Sequence, residues 1–274
     1  MELKHHRAGT GEPLLLIHGI GSRWQMWEPV LDRLEASHDV IAIDLPGFGA
    51  SPMPPTGIPP GATSLTDLVQ AFLSEIGVSE PHVAGNSLGG LIALELARRG
   101  SVRTATALSP AGFASPSERR VARASLWVGV RIARLAIGRA DALIQRPGVR
   151  RVAFGQMFAH PERISGADAA ASVRAMADAP WFDATLPTLR PMEFAAGDGL
   201  TSPGAGAISV PVTIAWGDRD RLLLPRQAQR AAVAIPGARI VSLRDCGHVP
   251  TYDDPDQVAS VLLESAAASR ATSA

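Results

Sequence analysis

One nine-residue stretch, Val83-Ala84-Gly85-Asn86-Ser87-Leu88-Gly89-Gly90-Leu91, constrains the fold more than any other part of the chain. It reads as the end of a buried strand, then G-x-S-x-G, then an apolar helix opening at Ser87. A serine on such a strand-to-helix turn is pushed into strained backbone geometry, with its hydroxyl raised above the sheet. Gly85 and Gly89 suit the turn because they lack the Cβ atoms that would collide with it and with the neighbouring helix. The free N–H groups of the helix N-terminus favour negative charge beside the serine. Five residues with three fixed recur by chance, so the flanking apolar strand and helix are what make this a candidate nucleophile elbow. A carboxylate and then a histidine should follow it in chain order.

Strand and helix alternate on both sides of the elbow. Residues 2–7 can form a short edge strand before the Gly9–Gly11 turn. Pro13-Leu14-Leu15-Leu16-Ile17 is a continuous apolar run, as a strand covered on both faces requires, and Asp39-Val40-Ile41-Ala42-Ile43-Asp44 repeats it. Further strands are expected at 81–86, 102–108, 210–216 and 238–243. Apolar residues at helical spacing predict helices over 24–34, 65–76, 87–99, 225–235 and 254–268, the last followed by a frayed polar tail. Ser64 is the expected N-cap of the second, and Gly77 its stop. This alternation belongs to an open, mostly parallel α/β sheet flanked by helices. It breaks at Ala111. From there to about 206 no strand pattern occurs; helical segments run over 117–145, 149–159, 167–178 and 183–190, and a glycine-rich loop over 197–206. The chain therefore divides into a core domain, 1–110 and 207–274, and an inserted helical lid, 111–206. The lid would lie over the strand C-terminal ends, where open α/β sheets bind ligands.

Few acids stand at strand ends after Ser87. The strand 102–108 is followed by Ser109-Pro110, without a carboxylate. The strand 210–216 is followed by Gly217-Asp218-Arg219-Asp220-Arg221, and the next by Arg244-Asp245-Cys246-Gly247-His248-Val249-Pro250. Serine, carboxylate and histidine thus occur in the required order, each in a loop on one edge of the sheet. From order alone Asp218 competes with Asp220.

With these residues in view, the chain resembles the α/β-hydrolase superfamily, from about Pro13 to the last helix. The marks are His18-Gly19-x-Gly21, Asp44-x-Pro46-Gly47-x-Gly49-x-Ser51, the Gly85–Gly90 elbow, Gly217-x-x-Asp220 with Pro225, and Gly247-His248. The lid matches only in position and helicity. The resemblance implies Ser87 as nucleophile, His248 as base and Asp220 as the acid that orients it. It also implies an oxyanion hole from the backbone N–H groups of Leu88 and Ile20. A serine hydroxyl is a poor nucleophile until a base takes its proton, and a histidine can accept that proton and return it to the leaving group. His18 and Asp44 are read as loop-fixing groups. The activity implied is that of a lidded serine hydrolase cleaving a small-to-medium apolar carboxylic ester through an acyl-enzyme, with no cofactor and no metal. Trp24, Trp127, Phe158, Trp181 and Val249 are candidates for the substrate pocket, although aromatic residues of the lid could equally form its own core. Carbon–carbon bond hydrolases of ring-cleavage products have a similar Gly-Asn-Ser elbow, but Val249 stands where a tryptophan usually follows their histidine. Cofactor-free perhydrolases and thioesterases share the triad, and some hydrolase-like receptors keep it for ligand binding. Ser87 departs from the aspartate that epoxide hydrolases and haloalkane dehalogenases carry at the elbow.

Composition adds exclusions. With 26 basic and 26 acidic residues, there is no electrostatic reason to expect a nucleic-acid partner. Cys246 is alone, so no internal disulfide and no C-x-x-C metal site can form. Residues 1–7 lack an apolar signal-peptide core, and no run approaches 18 apolar residues. The expectation is a soluble, cytoplasmic monomer or homodimer acting on a small molecule, without an integral membrane segment. Residues 117–151 hold nine arginines against Glu118 and Asp141, a local charge of +7, with Trp127, Val130, Ile132 and Leu135 interleaved. An anionic substrate or membrane surface is one reading; a solvated helix face with its apolar side on the core is the preferred one. His5, His6, His38, His82, His160 and Cys246 are expected to be packing or surface residues.

Overall fold

The computed structural model describes residues 1–189 and 208–272. The expected glycine-rich loop at 197–206, and the end of the insertion, lie outside those residues. Among these residues, seven strands form one sheet: β1 (His5–Ala8), β2 (Glu12–Ile17), β3 (His38–Ile43), β4 (His82–Asn86), β5 (Thr104–Leu108), β6 (Val212–Gly217) and β7 (Arg239–Leu243). Their order is β1-β3-β2-β4-β5-β6-β7. Only β1 is antiparallel, with His5 opposite Ile43; the rest are parallel, Ile17 lying opposite both Ile43 and Gly85. Because β3 lies on one side of β2 and β4 on the other, the chain reverses direction across the sheet between β2 and β4. A crevice opens at the carboxyl ends of these two strands.

The apolar runs form strands because both faces are covered. Leu15, Ile17, Ile41, Ile43 and Val83 point into one core, under α2 (Ala62–Glu75), α3 (Leu88–Arg98) and α8 (Gln227–Ala234). Leu14, Leu16, Val40, Ala42 and Ala84 alternate to the other face, against α1 (Glu28–Glu35) and α9 (Pro255–Thr272). Complete burial of Leu15, Leu16 and Ile17 contributes roughly 1.5–3 kcal/mol per side chain relative to exposure.

Several boundaries depart from expectation. Residues 24–34 are not one helix: Trp24–Trp27 is a 3-10 turn, and α1 starts at Glu28 with Pro29 in its first turn, where proline needs no donor. α2 begins three residues early, at Ala62, so Ser64 lies inside its first turn. The cap position is Gly61, at φ 149°, with no side-chain bond. Gly77, at φ 70°, does end that helix. α9 continues to Thr272 rather than fraying after 268.

Between β5 and β6 the chain builds α4 (Pro116–Ile144), α5 (Pro147–Phe154), α6 (Gly166–Ala177) and the single turn α7 (Phe182–Thr185). Ser115 opens α4 with a reciprocal cap. The Glu118 N–H donates to Ser115 Oγ at 3.3 Å, and the Ser115 N–H donates to Glu118 Oε2 at 2.7 Å; this satisfies two end groups of a 29-residue helix. α4 packs chiefly along α6. Its interleaved apolar residues divide: Val130 is fully buried, whereas Trp127, Ile132 and Leu135 are 49%, 60% and 89% exposed. The solvated face therefore carries apolar side chains as well as arginines, and Arg131 lies 4.9 Å over the Trp127 ring.

Candidate active site

β4 ends and α3 begins at Ser87, whose backbone sits at φ 57°, ψ −112°. A non-glycine residue there costs on the order of 1–3 kcal/mol. Three bonds hold it: the Ser87 N–H donates to Leu108 O on β5, and its carbonyl accepts from the N–H groups of Leu91 and Ala111. The flanking glycines are obligatory. A Cβ on Gly85 would lie 2.1 Å from Gly89 O, and one on Gly89 2.1 Å from Ile17 O. As a first-turn residue, Leu88 has no helical carbonyl four residues back to receive its N–H.

Asp220 and His248 meet across the loops after β6 and β7. His248 Nδ1–H donates to Asp220 Oδ2 at 2.8 Å, with Asp220 and His248 each 2% exposed. The other carboxylate oxygen accepts from the N–H groups of Leu222 and Leu223, both at 2.8 Å. Asp218, the competitor from chain order, is exposed. The two loops touch because both carry glycine: a Cβ on Gly217 would lie 2.2 Å from Gly247 O.

The histidine loop is anchored by two residues whose role chain order did not reveal. Asn86, beside the serine, donates from Nδ2 to Leu108 O at 3.1 Å and to His248 O at 2.8 Å. Asp253 accepts from Gly247 N–H at 2.8 Å, Ala159 N–H at 3.0 Å and His160 N–H at 2.8 Å. Burial raises the Asp253 carboxyl above its ordinary range, against the opposing pull of those three donors. His160 takes part as well, with Nε2 2.8 Å from Asp245 Oδ2. The signal for Asn86 was its place next to the serine; nothing local marked Asp253.

On the opposite wall, Leu45 N–H donates to His18 Nε2 at 2.9 Å, so Nδ1 carries the proton it gives to Gly19 O at 2.7 Å. Both ring nitrogens are thereby committed, and burial holds the imidazole below its ordinary pKa. Asp44 accepts from Trp24 N–H at 2.7 Å and Ala50 N–H at 2.8 Å. These bonds fix the loops after β2 and β3 in place.

A cavity of about 50 Å³ adjoins Ser87 and Ile20. Its walls include Ala111 after β5, Ala122 and Leu126 of α4, Leu186, and Leu222 and Leu223 after Asp220. The five pocket candidates lie elsewhere. Trp24 stacks on His6, ring centres 5.1 Å apart, and Trp127 faces outward. Trp181 is buried against Gly47, where a Cβ would lie 2.6 Å from its own. Phe158 and Val249 belong to a small core with Ile144, Ile164 and Tyr252. Of the aromatic candidates, Phe158 packs in the small core of the insertion and Trp181 against Gly47, while Trp24 and Trp127 do neither. Leu222 and Leu223 were findable, since they adjoin the acid in sequence.

A nearly parallel seven-stranded sheet, a serine at positive φ between strand and helix, and a crevice at the point of strand reversal define an α/β-hydrolase fold. The family model described as the alpha/beta hydrolase family matches residues 14–261, and the chain belongs to that family. It is 27% identical over 255 residues to Lipase 3 of Moraxella sp. (strain TA144), covering 89% of this chain and 74% of the lipase. It is 26% identical over 258 residues to Lipase 1 of Psychrobacter immobilis, covering 91% and 75%. Among solved structures, a bacterial membrane phospholipase A superposes with a TM-score of 0.71 at 26% identity, over 98% of this chain and 87% of that one. Among the described residues, no helix is long and apolar enough to cross a membrane.

Proposed function

We propose that this protein is a serine hydrolase that cleaves a carboxylic ester through an acyl-enzyme. The observation that carries the reading is the buried Asp220–His248 hydrogen bond in a protein whose strained elbow serine borders a largely apolar cavity. The lipase relatives are consistent with it. Ser87 Oγ attacks the ester carbonyl as His248 Nε2 takes its proton. Asp220 keeps the Nδ1–H tautomer and stabilises the imidazolium. The carbonyl oxygen, negative in the tetrahedral intermediate, accepts from the N–H groups of Leu88 and Ile20; one such donor elsewhere contributes about 2.7–4 kcal/mol. His248 then protonates the departing alcohol, and water repeats the sequence on the acyl-enzyme.

The helices between β5 and β6 act as a lid on this reading, since α4 and Leu186 supply cavity walls. A cavity of about 50 Å³ suits a short acyl chain. The test is labelling by a fluorophosphonate probe, with hydrolysis of p-nitrophenyl acetate, butyrate and octanoate alongside. Wild-type protein is labelled and turns over the shorter esters faster, whereas Ser87→Ala and His248→Ala lose both. Full turnover in folded Ser87→Ala sinks the proposal.

A further inference from the structure

The cavity beside Ser87 has one feature at odds with its apolar walls: Arg119 lines it. Arg119 is half-buried, its Nη1 is shielded from solvent with no hydrogen-bond partner, and no ion pair engages it among the described residues. The nearest acid in sequence is committed elsewhere. Glu118 accepts from Arg226 Nε at 2.6 Å, from Arg230 and from the Ser115 N–H. The second cavity arginine, Arg123, donates to the Leu189 carbonyl. Arg119 also sits in the opening turn of α4, where the helix dipole disfavours a cation. A guanidinium kept partly desolvated, unpaired and at the wrong helix end is locally unfavourable, and such breaches of local rules concentrate at functional positions.

We propose that Arg119 is a specificity residue that selects an acyl group ending in a carboxylate, so that the preferred substrates are half-esters of short dicarboxylic acids. This rests on the serine-hydrolase reading, in which the acyl group attached to Ser87 occupies this cavity. The planar guanidinium matches a carboxylate edge to edge. The small cavity favours that group over a bulkier phosphate, while the apolar walls accept the methylenes between the two carbonyl carbons.

The test compares p-nitrophenyl hemiglutarate with its neutral methyl ester in wild type, Arg119→Gln and Arg119→Lys. Wild type prefers the acid-ended ester in kcat/KM by about 10- to 100-fold, the range of a charge-assisted bond. Arg119→Gln brings that ratio to one or below, and Arg119→Lys restores part of it. A second readout needs no turnover: monomethyl glutarate raises the melting temperature of wild type and of Ser87→Ala, but not of Arg119→Gln. If Ser87→Ala still hydrolyses esters while this protection follows Arg119, the serine reading fails and the anion site stands. A wild-type ratio near one, a preference that survives Arg119→Gln, or protection by inorganic phosphate but not by monomethyl glutarate overturns the proposal.

Discussion

Replacing Asp220 by asparagine changes one atom of the candidate site, and its consequence follows from the hydrogen bonds already present. Oδ1 accepts from the N–H groups of Leu222 and Leu223, both at 2.8 Å. An asparagine must keep its oxygen there, because turning the amide round would set NH₂ against two N–H donors and leave both unpaired, at about 1–3 kcal/mol each. The NH₂ then faces His248 Nδ1, from which the carboxylate accepted a hydrogen bond at 2.8 Å. Nδ1 must become an acceptor, the ring proton moves to Nε2, and that nitrogen can no longer take the serine proton. The same tautomer reversal in another serine hydrolase lowers kcat about 10⁴-fold, or roughly 5.4 kcal/mol of barrier. The assay is kcat for p-nitrophenyl butyrate at pH 8, with melting temperature as the control for folding. Asp218→Asn, at an exposed position, stays within about twofold of wild type, since surface changes are commonly near neutral. A folded Asp220→Asn that loses less than tenfold refutes the reasoning, as does loss of activity in Asp218→Asn instead.

Four further outcomes follow from the same structure. Gly89→Ala places a Cβ 2.1 Å from Ile17 O and 2.7 Å from His18 O, both backbone atoms, so it destabilises by about 3 kcal/mol or more; urea denaturation with an unchanged midpoint contradicts this. Asn86→Ala leaves the Leu108 and His248 carbonyls without this donor, costing about 1–3 kcal/mol of stability and lowering kcat; wild-type values for both in denaturation and ester assays exclude the anchoring role. His18 and His82 are both held below the ordinary histidine pKa by burial, so the folded state resists protons that the unfolded chain accepts. Their stability contribution is complete above about pH 6.5 and falls below it, by up to roughly 1.4 kcal/mol per pH unit for each; denaturation midpoints that rise from pH 7.5 to 5.5 contradict this sign. Burial pushes the Cys246 thiol up to about 12, so it resists iodoacetamide at pH 8 in the native protein and reacts in urea; fast native labelling, read by mass spectrometry, would show the site to be open.

The sheet was legible because its signal is local. A strand covered on both faces must be apolar at successive positions, and 14–17 and 40–43 meet that demand whatever packs on them. The elbow and the order of Asp220 and His248 were equally plain, since each follows a strand end. The pocket was not, because hydrophobicity carries no address. Trp24, Trp127, Phe158 and Trp181 are large apolar side chains, yet a histidine, solvent, a local core and Gly47 are what they meet. Apart from Arg119 and Arg123, the wall beside Ser87 is mostly alanines and leucines, which look the same in a helix core and in a binding site. The start of α2 was misplaced for a related reason: a glycine at φ 149° opens the helix without any capping oxygen to announce it.

Asp253 shows how far the missed part of the site reaches. Its carboxylate holds Gly247, next to His248, and at the same time Ala159 and His160 of the inserted segment. The Val249 N–H donates to Met157 O at 2.9 Å, and Arg163 donates to the Asp253 carbonyl. Gly247 is close enough to this segment that a Cβ on it would lie 2.6 Å from Ala159 N. Residues 157–163 are therefore fastened to the loop that carries His248, and displacing them would break several hydrogen bonds at about 0.5–1.5 kcal/mol each, leaving a buried carboxylate with fewer donors. The other wall of the cavity, the first turns of α4 and Leu186, takes part in none of these bonds. That is the wall where Arg119 stands, so on the serine-hydrolase reading proposed above, entry of substrate and recognition of its charge would fall to the same few residues while the hydrogen-bonded Asp220–His248 pair stays fixed.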